Sequence, residues 1–356
     1  MFKHRYQNVL ILCVAALLLL SGCHRSKKQG DDKGPAFTVL CSVKTTPVKD
    51  QGKSSLCWAY GMLATIESEH IMKGDSINLS PTYVMRNVLW QEGGRCFFTR
   101  GGRRMVLSGV MPMLVHYLQT DGIIPYDSYF NGDKVPNCKV LVNKIEHAAK
   151  ASSYLGDFND RMRDLLDKEL GYLPRIVAMG GAEYTPKEFA HSVCMPDEYV
   201  FLTSFTHHPY YTPFALEVPD NAMHDSFYNL PLDTLMDHIE DALFSGHPVC
   251  WEGDISEPGF DWKNGMATID LPEEQDVVKE RQIMFETRQT TDDHVMELVG
   301  IVRDIHGNRY FVAKNSWGRS NRRHGFIFLS EPYVRLKTIA VAMSQSAYTI
   351  GKSERE

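Results

Sequence analysis

The chain has 356 residues, 43% of them hydrophobic and 11% aromatic, and a formal net charge of −6. That composition supplies a sizeable core and excludes a disordered chain, a collagen-like fibre and a polytopic membrane protein. The mild acidity argues against a nucleic-acid partner, which usually meets a basic footprint, and eight cysteines are too few for a disulfide-dense scaffold.

Lys3 and Arg5 precede an apolar run from Val9 to Leu20. The run is shorter than the roughly 20 residues that a membrane-spanning helix needs, and it has the shape of a secretory signal. It ends Leu20-Ser21-Gly22-Cys23, which resembles a bacterial lipobox. Residues 1–22 then read as a discarded signal and Cys23 as the first mature residue, carrying lipid. Residues 23–36 read as a polar, lipid-anchored tether. The expected location is outside the cytoplasm, anchored to a bacterial membrane through Cys23 without spanning it. His24, where an inner-membrane retention signal would place Asp, favours the outer membrane.

Thr46 to Gly52 reads as an extended segment ending in a turn. A helix is expected from Cys57, capped by Ser54 or Ser55, with residues 59, 62, 63 and 66 on one apolar face. Cys57 lies in the first turn, where the macrodipole favours thiolate and a lowered pKa. Gln51, six residues earlier, can aim its amide at the same cleft and donate to a developing oxyanion together with the Cys57 N–H. Far downstream, a strand opens near His294, and a second, Arg309 to Lys314, runs into Asn315-Ser316-Trp317-Gly318. Adjacent antiparallel strands bring His294 and Asn315 together. The Asn oxygen orients the imidazole, the imidazole pairs with the thiolate, and Trp317 covers the bond between them.

In this order and context, Gln51, Cys57-Trp58-Ala59, His294 and Asn315-Ser316-Trp317-Gly318 resemble the papain-type cysteine peptidases. The resemblance implies Cys57 as nucleophile, His294 as general base and acid, Asn315 as the orienting residue and Gln51 in the oxyanion hole. It also implies an α+β, two-lobe fold: a helical lobe, an antiparallel β-barrel-like lobe and here a helical insertion. Cys57 and His294 lie 237 positions apart, against about 130–150 in simple papain-like enzymes. The surplus of roughly 90 residues matches the bleomycin hydrolase and aminopeptidase C branch. Lys53-Ser54-Ser55, Leu79-Ser80-Pro81-Thr82-Tyr83, Gly109 to Val115 with Gly122 to Pro125, and Pro248 to Asp254 resemble that branch too.

The branch implies a peptide substrate, aminopeptidase action, no cofactor and a homo-oligomer, often a hexamer. Its paired glycines in the substrate cleft become Ser108-Gly109 here, and with Trp317 these are the expected substrate-binding residues. Its C-terminal arm finds no match in the polar end, Tyr348 to Glu356. An endopeptidase of the same fold therefore stays open, as do acyl transfer to an amine and a non-catalytic peptide receptor on this scaffold.

The chain divides into a helical lobe over 37–150, the insertion over 151–246, a β-rich lobe over 247–345 and a tail over 346–356. Helices are expected at Ser80–Trp90, Met111–Gln119, from Asn159, over 186–191, and at Leu232–Phe244 behind Pro231. Cys41, Cys96, Cys138, Cys194 and Cys250 read as free thiols. No His or Cys spacing matches a zinc site, and metal binding is not expected. His207-His208 and the basic run of Arg95, Arg100, Arg103 and Arg104 read as solvated loops. Glu252 and Asp254, after a strand near the cleft, read either as structural acids or as partners for a substrate amine.

Overall fold

The computed structural model describes residues 36–129, 137–272 and 276–353. The signal segment, the tether and Cys23 lie outside these residues.

The organising strand is His294–Asp304, whose Val-Met-Glu-Leu-Val-Gly-Ile-Val run suits a strand buried on both faces. It pairs antiparallel with Val249–Gly253 and, along its length, with Arg309–Lys314. Its far end pairs with Phe37–Ser42, so the segment expected to open the helical lobe belongs to the sheet. Phe326–Ser330 extends the sheet on one side, and Thr338–Ser344 extends it on the other. Beyond Thr338–Ser344 come Tyr199–Thr203, Ser226–Asn229 and Pro213–Ala215. The insertion therefore contributes strands as well as its helices at Leu155–Leu170, Pro186–Val193 and Leu232–Phe244.

Helix Cys57–Met72 lies against this sheet. A Cβ on Gly61 would stand 2.7 Å from Val295 Cγ1, so glycine lets helix and strand approach this closely. The helix is buried around almost its whole circumference, not on one face alone, and Glu67 and Glu69 are enclosed with it. Each finds partners, as buried charge requires. Glu67 accepts from Lys49 Nζ at 2.6 Å, Thr46 Oγ1 at 2.5 Å and Leu79 N at 2.6 Å. Glu69 meets His247 Nδ1 at 2.9 Å.

Pro81–Phe98 and Pro112–Thr120 pack on this helix, and Cys138–Ala151 packs in turn on Pro81–Phe98. Ser80 caps the first by accepting from Tyr83 N at 3.2 Å, with Pro81 at the position where a missing N–H costs nothing. The expected serine cap on the Cys57 helix is absent. Leu56 holds that position without a side-chain bond, and Ser54 Oγ donates to Gln51 O at 2.8 Å. Cys41, Cys57, Cys96, Cys138, Cys194 and Cys250 are free thiols.

Helix Gln345–Ser353, the described part of the tail, packs on helix Leu232–Phe244. Tyr348 is buried there, its ring 4.7 Å from that of His238.

Candidate active site

The first residues of a helix leave their N–H groups without intrahelical partners. Cys57 opens its helix, so its N–H and thiol sit together at the positive end of the helix dipole. Its side chain keeps partial exposure, whereas the core around it is closed. The thiol lies beside the Val295 backbone, next to His294.

His294 is buried at the start of its strand, and its Nε2 bonds Asn315 Oδ1 at 2.7 Å. Asn315 leaves the end of the neighbouring strand, Arg309–Lys314. The Trp317 ring lies 4.8 Å from the imidazole and packs edge-on against Trp262 at 5.2 Å, screening the His–Asn bond. With Nε2 committed to Asn315, Nδ1 is the ring nitrogen free to exchange a proton with a thiol.

The loop before Cys57 is tied to the segment after Asn315. Gln51 N donates to Ser316 O at 2.7 Å, and Asp50 bridges Trp317. Ser316 Oγ donates to Gln51 Oε1 at 2.5 Å, while Gln51 Nε2 donates to Ser54 O at 3.0 Å. Those bonds fix the amide plane and leave one Nε2 hydrogen uncommitted. The structure thus gathers Gln51, Asn315 and Trp317 around His294, with the Cys57 thiol against Val295, the next residue of that strand.

Burial sets the resting protonation. It pushes the Cys57 thiol up to about 12, opposite to the lowering expected from the helix dipole alone. It pushes the His294 imidazole down to about 4, against the raising effect of the Asn315 bond. Desolvation therefore makes each charge costly alone.

Ser108 and Gly109 form another wall. A Cβ on Gly109 would stand 2.5 Å from Met113 Sδ and 3.3 Å from the Trp58 ring, so backbone alone fits there. Trp58 Nε1 donates to Leu107 O at 2.9 Å and fixes this segment behind the nucleophile. Ser108 Oγ donates to Asp220 Oδ1 at 2.6 Å. Asp220 comes from the insertion, and the sequence offers no sign that it reaches the cleft.

The other candidates resolve by their partners. Asp254 is fully enclosed and accepts from Ser256 N at 2.7 Å and Thr291 N at 3.0 Å, a structural acid. Glu252 is equally enclosed, yet its Oε2 has no hydrogen-bond partner. Arg95 and Arg103 turn to Glu92, at 2.6 and 3.8 Å. His207 and His208 both bond Glu217, and the three bring ligand-type atoms within 4.8 Å of one another.

Residues 180–349 match the model of the Peptidase C1-like family. Over 147 residues the chain is 30% identical to the viral cathepsin of Choristoneura fumiferana nuclear polyhedrosis virus, an alignment covering 40% of this chain and 41% of that protein. The viral cathepsin of Choristoneura fumiferana defective polyhedrosis virus is 31% identical over the same length. The chain thus matches less than half the length of these curated relatives. The crystal structure of PepW from Lactobacillus rhamnosis HN001 superposes with a TM-score of 0.63, covering 89% of this chain and 85% of that one at 16% identity, a likeness of fold. The fold is thus papain-like, and nearly half of the chain matches the model of a C1-type peptidase family.

Proposed function

We propose that the protein hydrolyses peptide bonds through the Cys57 thiolate, as an aminopeptidase of the bleomycin hydrolase type. The observation that carries the reading is the buried His294–Asn315 bond at 2.7 Å, on the strand that packs against the Cys57 helix. In this cycle His294 takes the Cys57 proton and the sulfur attacks the peptide carbonyl carbon. The Cys57 N–H and the uncommitted Gln51 Nε2 hydrogen hold the oxyanion. The imidazolium then protonates the departing amine, leaving a thioester on Cys57. His294 next draws a proton from water, the hydroxyl attacks the thioester, and the acid product leaves as the thiol is restored.

The test uses purified full-length protein, a fluorogenic peptide and a substrate-like epoxide. Hydrolysis and labelling of Cys57 are expected, both lost in Cys57→Ala. A protein that does neither overturns the reading. The endopeptidase alternative draws support from the position of helix Gln345–Ser353, which packs on Leu232–Phe244. Faster cleavage of an N-acylated peptide than of its free-amine form would establish that alternative and overturn the aminopeptidase reading.

For location we propose lipid anchoring at Cys23 outside the cytoplasm, supported by the apolar run and the Leu20-Ser21-Gly22-Cys23 order. Among the described residues no helix is long and apolar enough to cross a membrane. Incorporation of labelled fatty acid, abolished by Cys23→Ala, is the expected result; equal labelling of both proteins would overturn it.

A further inference from the structure

Glu252 is hard to explain as a structural residue. Its strand, Val249–Gly253, places it opposite Val295 in the antiparallel register, so the two side chains share a face of the sheet. Val295 touches the Cys57 helix at Gly61, one turn from the nucleophile, so Glu252 also faces that end of the helix. It is 1% exposed, and its Oε2 accepts nothing. A buried carboxylate oxygen without a partner is costly to the fold.

The groups facing Glu252 are carboxyls. Asp292 and Asp220 both act on it, and the Cys57 thiol in turn feels Glu252 and Asp220. Burial raises all three carboxyls above their ordinary range, repulsion between carboxylates adds to this at Glu252 and Asp292, and no Lys, Arg or His enters among the groups acting on them. Asp220 is held in place from two sides. Its Oδ1 accepts from Ser108 Oγ at 2.6 Å, and its N–H donates to Asp292 Oδ2 at 3.3 Å. The insertion thus ties the Ser108 wall to the segment that leads into His294, and the tie is itself acidic. Three carboxyls without a countercharge, beside a partly exposed thiol, are complementary to a cation brought by the ligand.

We propose that Glu252, Asp220 and Asp292 form a subsite beside Cys57 that binds an ammonium group of the peptide substrate. The group is either the free amino terminus or a lysine side chain near it. This deepens the peptidase reading and rests on it for the word substrate. The binding chemistry stands separately and is tested without turnover.

The experiment measures binding by calorimetry to full-length Cys57→Ala protein. The probes are Ala-Phe-Ala-amide, its N-acetyl form, and N-acetyl-Lys-Phe-Ala-amide. At least one ammonium-bearing peptide is expected to bind about tenfold or more tightly than the neutral N-acetyl peptide. The better of the two identifies the source of the charge. Adding Glu252→Gln or Asp220→Asn is expected to bring that ratio close to one. Asp220 is half-exposed, so the second variant keeps the test available if the first fails to fold. Equal binding of all three peptides overturns the proposal, as does a ratio that survives both substitutions. If the ratio behaves as expected while the native enzyme cleaves no peptide, the subsite stands and the peptidase reading falls. Cleavage without any ammonium preference has the opposite meaning.

Discussion

The Ser316 hydroxyl donates to Gln51 Oε1 at 2.5 Å, so the residue after the orienting Asn315 also aims the amide expected to hold the oxyanion. One short segment thereby positions both His294, the proposed general base, and the Gln51 amide, the proposed charge-stabilising donor. Ser316→Ala frees the Gln51 amide to rotate. The expected effect is a fall in kcat of about tenfold with KM nearly unchanged, because the amide acts on the transition state. Gln51→Ala is expected to cost roughly 10²-fold or more. A change confined to KM in either variant would contradict the assignment.

Asn315→Ala removes the acceptor at His294 Nε2 and leaves a buried imidazole able to turn. A loss in kcat/KM of about 10²-fold or more is expected, by analogy with other orienting residues. Labelling of Cys57 by a small, non-directional alkylating agent should fall less than peptide turnover. Equal losses would point to a collapsed site.

Gly61 tests the approach of helix to strand. Alanine is better than glycine in an isolated helix by about 1 kcal/mol. Here its Cβ would stand 2.7 Å from Val295 Cγ1 and 3.3 Å from the Val295 carbonyl carbon, and a strand backbone cannot easily give way. Overpacking of this kind costs about 1–3 kcal/mol. Gly61→Ala is therefore expected to lower the thermal midpoint and to reduce kcat by displacing Cys57 from His294. A stabilised, fully active variant would show that the contact is slack.

The buried pair predicts a pH profile for stability. His294 has its folded pKa lowered to about 4, below an ordinary value of about 6.5. The unfolded chain then binds more protons between those values, and stability falls as pH drops from about 6.5 towards 4. Cys57 is raised, so the unfolded chain ionises first in alkali and stability falls as pH climbs past about 8.5. Melting curves of Cys57→Ser should show a shallower alkaline decline, the raised Cys138, Cys194 and Cys250 thiols supplying the remainder, and an unchanged acidic one. Identical curves for both proteins would refute this.

Glu252 adds a limb of its own. Its folded pKa is raised by burial and by Asp292 and Asp220. Above the ordinary glutamate range the unfolded chain is ionised while the folded carboxyl resists, so the residue weakens the fold increasingly as pH rises. Glu252→Gln should melt at a higher temperature than the native protein at pH 7, with the gap closing towards pH 4. That is the stability–function conflict expected of a binding residue.

Much of the site was legible because its signals are local. Cys57 followed by an apolar helix, His294 opening an alternating strand and Asn315 ending another stand where the spacing predicts. Helix Leu232–Phe244 and strand Arg309–Lys314 have the predicted bounds. Helix Cys138–Ala151 went unread although its buried positions 138, 141, 145 and 149 carry helical spacing behind an Asn137 cap. The expected cap from Ser54 or Ser55 fails because a serine hydroxyl serves equally well in a turn, and Gln51 O takes that of Ser54. Asp220 was beyond reach for a different reason. A Val-Pro-Asp-Asn loop carries nothing local that says its carboxylate meets a serine 112 positions earlier.

The first described strand, Phe37–Ser42, finds its partner in the far end of the His294 strand. A ribosome delivers the chain from its amino end, so this opening strand waits unpaired until nearly everything else has emerged. Cys57 emerges early, but His294 and the strand that Phe37–Ser42 must pair with arrive together and late. A half-made chain therefore carries Cys57 without His294, and topology alone withholds the proposed chemistry until that strand is in place.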